Sequence, residues 1–166
     1  MPLDPSRQER TGWRDEEISR RHRAWGFNCP ARDIDFLMVE SDRRLPVALI
    51  DYKHVNASTE EIHSKEHLPI IHMADTCGIP FFVVLYDIDT WWFTVYSKND
   101  AARIFIDGWC NENFPHEEGR VPLLTEYDFV RMLYALRGRD FFSDRRVNRS
   151  ALIGADNDNE PVSVAA

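Results

Sequence analysis

Two short runs concentrate acids and a lysine inside otherwise apolar sequence. They are Asp33-Ile34-Asp35-Phe36-Leu37-Met38-Val39-Glu40 and, after a break, Leu49-Ile50-Asp51-Tyr52-Lys53-His54. Each has the length and composition of a strand, and the polar Ser41-Asp42-Arg43-Arg44-Leu45-Pro46 between them suits a hairpin connection. Strand side chains alternate between faces, so Asp51 and Lys53 point one way while Ile50 and Tyr52 point the other. Asp33 and Asp35 share a face with Leu37 and Val39 by the same rule. Two carboxylates meeting beside an ammonium make a site for a hard divalent cation and a polarised water.

A second motif lies just downstream. His63-Ser64-Lys65-Glu66-His67 fits H-x-x-E-H, in which two histidines one helical turn apart bind zinc and the glutamate acts as base. Its context is poor, because Pro69 follows almost at once and the histidines fall at the expected start of a helix rather than inside one. A zinc protease is therefore set aside, and His63, His67 or Lys65 is expected instead to line the cleft next to the Asp51 strand.

The elements that must position these residues follow from the rest of the chain. At 166 residues the chain can bury one proper core without staples. Residues 1–12 are polar and carry two prolines, and read as a flexible arm. Trp13 to Trp25 reads as a short amphipathic helix ending at Gly26, with Ile18 and Trp25 on its buried stripe. On that wheel Glu17 flanks the stripe and Glu16 points further away. Ser58-Thr59-Glu60-Glu61 has the form of a capping box. A helix is expected from about Glu66 to Cys77, with Pro69 in its first turn and Gly78 as its C-cap. Phe81-Phe82-Val83-Val84-Leu85-Tyr86 is a nearly continuous apolar run, the mark of a central strand covered on both faces.

Asp87 to Thr90 reads as a turn, and Trp91 to Ser97 as a strand antiparallel to the last. Trp91, Phe93 and Val95 suit the core. The opposite face, Trp92, Thr94 and Tyr96, is expected to lie under the C-terminal helix. Residues 108–122 read as a long loop, and Thr125 caps a helix to about Arg137 with Phe129, Met132, Leu133 and Leu136 as its stripe. The domain thus spans 13–147, and the small and acidic residues of 148–166 read as a disordered tail.

Composition limits the function classes. Cys29, Cys77 and Cys110 are far apart and in no CxxC pair, which argues against a zinc ribbon and a disulfide framework and fits a reducing compartment such as the cytoplasm. No apolar run approaches the roughly 18–20 residues of a membrane helix, and no signal peptide is visible. The formal charge of −8 weighs against a simple basic nucleic-acid binder. Positive charge is clustered, however, at Arg20-Arg21-His22-Arg23, Arg43-Arg44, Arg137-Gly138-Arg139 and Arg145-Arg146, each of which reads on its own as a solvated face.

The order helix, strand, strand, helix, strand, strand, with the charged cluster on the first two strands, resembles the PD-(D/E)XK nuclease superfamily, the restriction-endonuclease-like fold. Ile34-Asp35 matches the family's lone-Asp position, Asp51-Tyr52-Lys53 its (D/E)-x-K triplet, and Glu17, in preference to Glu16, its helical acid. Two departures stand: Ile34 replaces the usual proline and Asp51 the commoner glutamate. The resemblance covers roughly residues 13–97. It implies an α+β fold, a mixed central sheet flanked by helices with an αβββαβ core, and metal-dependent hydrolysis of phosphodiester bonds. It further implies Asp35, Asp51, Lys53 and Glu17 as catalytic residues. Mg²⁺, for which Mn²⁺ can substitute, is then held by Asp35, Asp51 and the carbonyl of Tyr52, with Lys53 orienting the attacking water. Arg20, Arg21 and Arg23 are then expected to hold the backbone of DNA, with RNA left open, by charge alone. Oligomeric state is left open too, a homodimer being the form in which many proteins of this fold cut two strands. The alternative is a catalytically inactive module of the same fold that binds nucleic acid or protein.

Overall fold

Ten residues, Leu45–His54, form the strand β2 on which the sheet is assembled, preceded by β1 at Phe36–Glu40. The structure, a computed structural model, describes residues 34–115, 119–145 and 147–155. The expected hairpin is present: β1 and β2 pair antiparallel from Phe36 opposite Ile50 to Glu40 opposite Leu45, with a bulge at Met38/Val39. Arg44 takes a left-handed conformation in the turn. Pro46 falls inside β2 because only β1 pairs there. The other neighbour, β3 (Phe81–Tyr86), first meets β2 at Leu49, so no ladder donor is required of the proline on that side.

β2 and β3 run parallel, with Asp51 beside Val83 and Lys53 beside Leu85. A parallel pair needs a long crossover. Here it comprises α1 (Thr59–Ile62), a 3-10 turn (Lys65–His67) and α2 (Leu68–Cys77). The capping box forms as expected, Ser58 Oγ accepting from Glu61 N and Ser58 N donating to Glu61 Oε2. Pro69 sits in the first turn of α2, and Gly78 ends it at φ +65°, where a side chain would be strained. β4 (Phe93–Ser97) pairs antiparallel with β3, and the two-residue β5 (Leu123–Leu124) with β4, giving the order β1-β2-β3-β4-β5.

The alternating strand residues divide the core into two layers. Leu49, Phe81, Val83 and Leu85 pack with Ile62 and Ala74 of the crossover on one face. Ile50, Phe82, Val84, Phe93 and Val95 pack on the other against α3 (Asp100–Asn113) and α4 (Glu126–Leu136). This is the α+β class with a mixed sheet between helices. β1, β2, α2 and β3 follow the order strand, strand, helix, strand. The Trp13–Trp25 helix, Glu17 and Glu16 lie outside the described residues, as does any strand that precedes Ile34. Among the described residues no helix is long and apolar enough to cross a membrane.

Four expectations need correction. The loop expected at 108–122 begins as helix: α3 continues to Asn113, because Ala102, Ile106, Trp109 and Cys110 form a buried stripe at helical spacing and Asn99 caps its start. The C-terminal helix covers the Phe93 and Val95 face, not that of Tyr96. The stack of Phe93 on Phe129, centroids 4.2 Å apart, fixes this side and adds about 0.5–1.5 kcal/mol beyond burial. Trp91, expected in the core, is exposed in a left-handed turn closed by Asp87. The tail expected from 148 is ordered at least to Ala155. Arg149–Ala151 forms a 3-10 turn, and Ile153 bonds the start of α4 through its N–H to Glu126 and its carbonyl to Tyr127.

The arginines at 137 and 139 are not a solvated face either. Glu40, at the end of β1, is fully buried (0 % exposed). Arg139 grips its carboxylate with two bonds, Nε to Oε2 at 3.0 Å and Nη2 to Oε1 at 2.7 Å. Arg137 Nε and the Asp42 backbone N–H add two more, Asp42 also pairs with Arg139, and Arg43 bonds the Arg137 carbonyl. The Arg139 bonds hold the Glu40 carboxyl down to about 2, against the opposing effect of burial. An unfolded glutamate titrates near 4.5, so the stabilisation is fully present above that pH and is lost as pH falls toward about 2. Glu40→Gln is expected to lower Tm by roughly 5–10 °C at pH 7. The gap to the native chain should close as thermal melts are taken from pH 5 toward pH 2.

Candidate active site

The crossover face of β2 carries the expected pair. Asp51 and Lys53 point the same way, and Lys53 Nζ lies 3.0 Å from Asp51 Oδ1. Asp51 is only 7 % exposed, whereas the lysine side chain is about a third exposed, so the pair opens to solvent on the lysine side. The opposite face of the strand is aromatic: Tyr52 meets Phe36, Tyr86 and Phe129 edge to face. These contacts pin the strand's rotation and so the direction of Asp51.

The second partner of Asp51 comes from the crossover. His67, at the end of the 3-10 turn, is 6 % exposed and sets its Nε2 3.1 Å from Asp51 Oδ2. Ser64 accepts from Glu66 N at the start of that turn, and the imidazole meets the Phe81 ring edge to face. Burial lowers the His67 pKa, the hydrogen bond and charge of Asp51 oppose it, and Lys98 and Lys53 reinforce the lowering. A neutral imidazole facing an ionised carboxylate carries its proton on Nε2 and donates it. Lys98, just past β4, donates to the Ile62 carbonyl at 2.8 Å, and burial lowers its pKa as well.

Two acceptors in this cluster find no hydrogen-bond partner among the described residues: Asp51 Oδ1 and His67 Nδ1. Lys53 touches the first as an ion pair without hydrogen-bond alignment. Buried polar atoms are seldom left in that state.

Asp35 stands one residue before β1, exposed. The last pair of the hairpin ladder, Phe36 opposite Ile50, leaves Asp35 just beyond the paired residues at the end of the hairpin nearer Asp51. Among the described residues no three His, Cys, Asp or Glu side chains converge on one point. The donor chemistry nonetheless fits Mg²⁺, which keeps several waters and takes only one or two carboxylates. Asp51 Oδ1, the neighbouring Tyr52 carbonyl and Asp35 are oxygen donors of that kind. Arg20, Arg21 and Arg23 lie outside the described residues.

No family model, curated protein or solved structure matches the chain.

The zinc motif does not assemble. α1 ends at Ile62 and the 3-10 turn begins at Lys65, so His63 and His67 are not one turn apart on a continuous helix. His63 instead meets Tyr96 edge to face, and His67 is committed to Asp51. Sequence reasoning placed His67 near the cleft but gave no sign of its bond to Asp51, and it missed Lys98 altogether. The only available signal for the histidine was its position in the crossover directly after the triplet strand.

If Asp51 serves chemistry rather than the fold, removing its charge is tolerated. Asp51→Asn is expected to shift Tm by no more than about 3 °C, in contrast to the drop expected for Glu40→Gln. A comparable loss in both variants would make Asp51 a structural anchor.

Proposed function

We propose that the chain is a metal-dependent nuclease of the PD-(D/E)XK type that hydrolyses phosphodiester bonds, with DNA as substrate. One observation carries the reading: a buried Asp51 carboxylate, one oxygen of which lacks a hydrogen-bond donor, lies on the same strand face as the partly exposed Lys53. The hairpin followed by a helical crossover into a parallel strand supports it, because that is the order in which the superfamily's αβββαβ core presents its lone Asp and its triplet.

In this reading Asp51, Asp35 and the Tyr52 carbonyl hold Mg²⁺, or Mn²⁺ in its place, with Glu17 as the further acid. When bound, the ion supplies Lewis-acid activation of the phosphate and of the attacking water. Lys53, with its ammonium at the open side of the pair, meets the negative charge that develops on the phosphate. Arg20, Arg21 and Arg23 hold the backbone through charge. Cleavage of both strands of a duplex calls for two such sites, which a homodimer provides. We place the activity in the cytoplasm, where an exposed free thiol such as Cys77 persists.

The test is incubation of the purified protein with supercoiled, linear and single-stranded DNA in Mg²⁺, Mn²⁺ or EDTA. Cleavage is expected with metal only, and a loss of about 100-fold or more is expected in both Asp51→Ala and Lys53→Ala. Cleavage that survives EDTA or either substitution would overturn the proposal. Salt-sensitive DNA binding without cleavage would favour the inactive module.

A further inference from the structure

We infer that His67 is a positioning residue of this site: it clamps Asp51 Oδ2 so that Oδ1 is the oxygen presented to an incoming divalent cation. The inference rests on the nuclease reading and deepens it. An aspartate carboxylate rotates readily about its terminal bond, and that torsion is broad rather than sharply welled. The two oxygens therefore exchange places unless something distinguishes them. Here the distinction is made by a ring that cannot follow the rotation. His67 is 6 % exposed, packed against Phe81, and joined by Nε2 to Oδ2 at 3.1 Å. The other oxygen faces Lys53 at 3.0 Å and has no hydrogen-bond donor.

The distribution of partners across the hairpin argues against a purely structural bond. Glu40 shows what a structural carboxylate looks like in this fold: both oxygens carry donors, four bonds in all. Asp51 has a hydrogen bond on one oxygen only, and the imidazole that makes it leaves its own Nδ1 unbonded. An arrangement built only for stability would align a hydrogen-bond donor on the second oxygen too, as at Glu40, whereas Lys53 meets it only as an ion pair. Lys53 holds the position of a mobile cation at Oδ1. With a divalent ion held by Asp51 Oδ1, the Lys53 ammonium would stand on the solvent side, free to meet a phosphate. Partners of this kind, which orient a ligating group without touching the ion, typically account for about 10–100-fold in metal affinity.

The experiment is a Mn²⁺ titration of the full chain, read by the rise in Tm and by the electron paramagnetic resonance signal of free Mn²⁺. The native protein, His67→Ala, His67→Gln and Asp51→Ala are compared. Gln keeps an N–H donor of similar reach. His67→Ala is expected to bind Mn²⁺ about 10–100-fold more weakly than the native chain. His67→Gln should recover most of the loss, and Asp51→Ala should show no saturable binding. Unchanged Mn²⁺ affinity in His67→Ala, with binding abolished in Asp51→Ala, overturns the inference and leaves the nuclease reading standing. No saturable binding by the native chain overturns both. Should His67→Ala fail to fold, the ¹⁵N resonances of the native His67 ring decide. The inference requires the Nε2–H tautomer and a shift of the ring signals on adding Mg²⁺, and either the other tautomer or an unresponsive ring overturns it.

Discussion

A carboxylate taken out of water must be matched by donors, and one hairpin in this protein carries two such carboxylates. Glu40 ends β1 and Asp51 sits past the middle of β2, so both acids are built into the same pair of strands. At Glu40 the match is complete, and it ties the chain after α4 back to the edge of the sheet through Arg137 and Arg139. At Asp51 it is partial: a histidine from the crossover hydrogen-bonds one oxygen, and the other has only an ion pair with the lysine two residues on. A buried ion pair is at best a weak contributor to net stability, and the incomplete one is where the proposed function is placed.

Topology decides where that chemistry can occur. β2 is antiparallel to β1 on one side and parallel to β3 on the other, and the parallel side forces a crossover over one face of the sheet. Asp51 and Lys53 point to that same face by strand alternation. The crossover therefore supplies the layer that buries Asp51, and His67 arrives with it. The opposite face is filled by Tyr52, Phe82, Val84 and the helices α3 and α4, which makes it a packed core. Lys98, just past β4, bonds the Ile62 carbonyl of the crossover and adds its charge to that of Lys53 in lowering the His67 pKa.

Much of this was legible from the residues. The hairpin, the capping box at Ser58, the Gly78 cap and the central strand at Phe81–Tyr86 are encoded locally, by alternation, by turn chemistry and by an apolar run. The shared face of Asp51 and Lys53 follows from period two alone. What was not legible depends on contacts distant in sequence. Nothing near Glu40 announces Arg139, nearly a hundred residues away, and the arginine cluster reads as solvated until the sheet edge is brought to it. α4 covers the Phe93 face because of the Phe129 stack, a choice that the two aromatic-rich faces of β4 leave open. His67 was disguised by a motif of another chemistry, and only the break between α1 and the 3-10 turn removes that alternative. α3 was legible in its Ala102, Ile106, Trp109 and Cys110 spacing, but the Gly and Asn content of its last turns reads as loop.

The central claim is that the unfilled oxygen of Asp51 exists to meet a divalent cation, and diffraction from crystals soaked in Mn²⁺ tests it most directly. Anomalous scattering should place an ion within coordination distance of Asp51 Oδ1, with the Lys53 ammonium moved off that oxygen and the His67 bond to Oδ2 unchanged. A well-occupied crystal with no ion at Asp51, and with Lys53 still paired to it, would contradict the account and leave Asp51 as part of the fold alone.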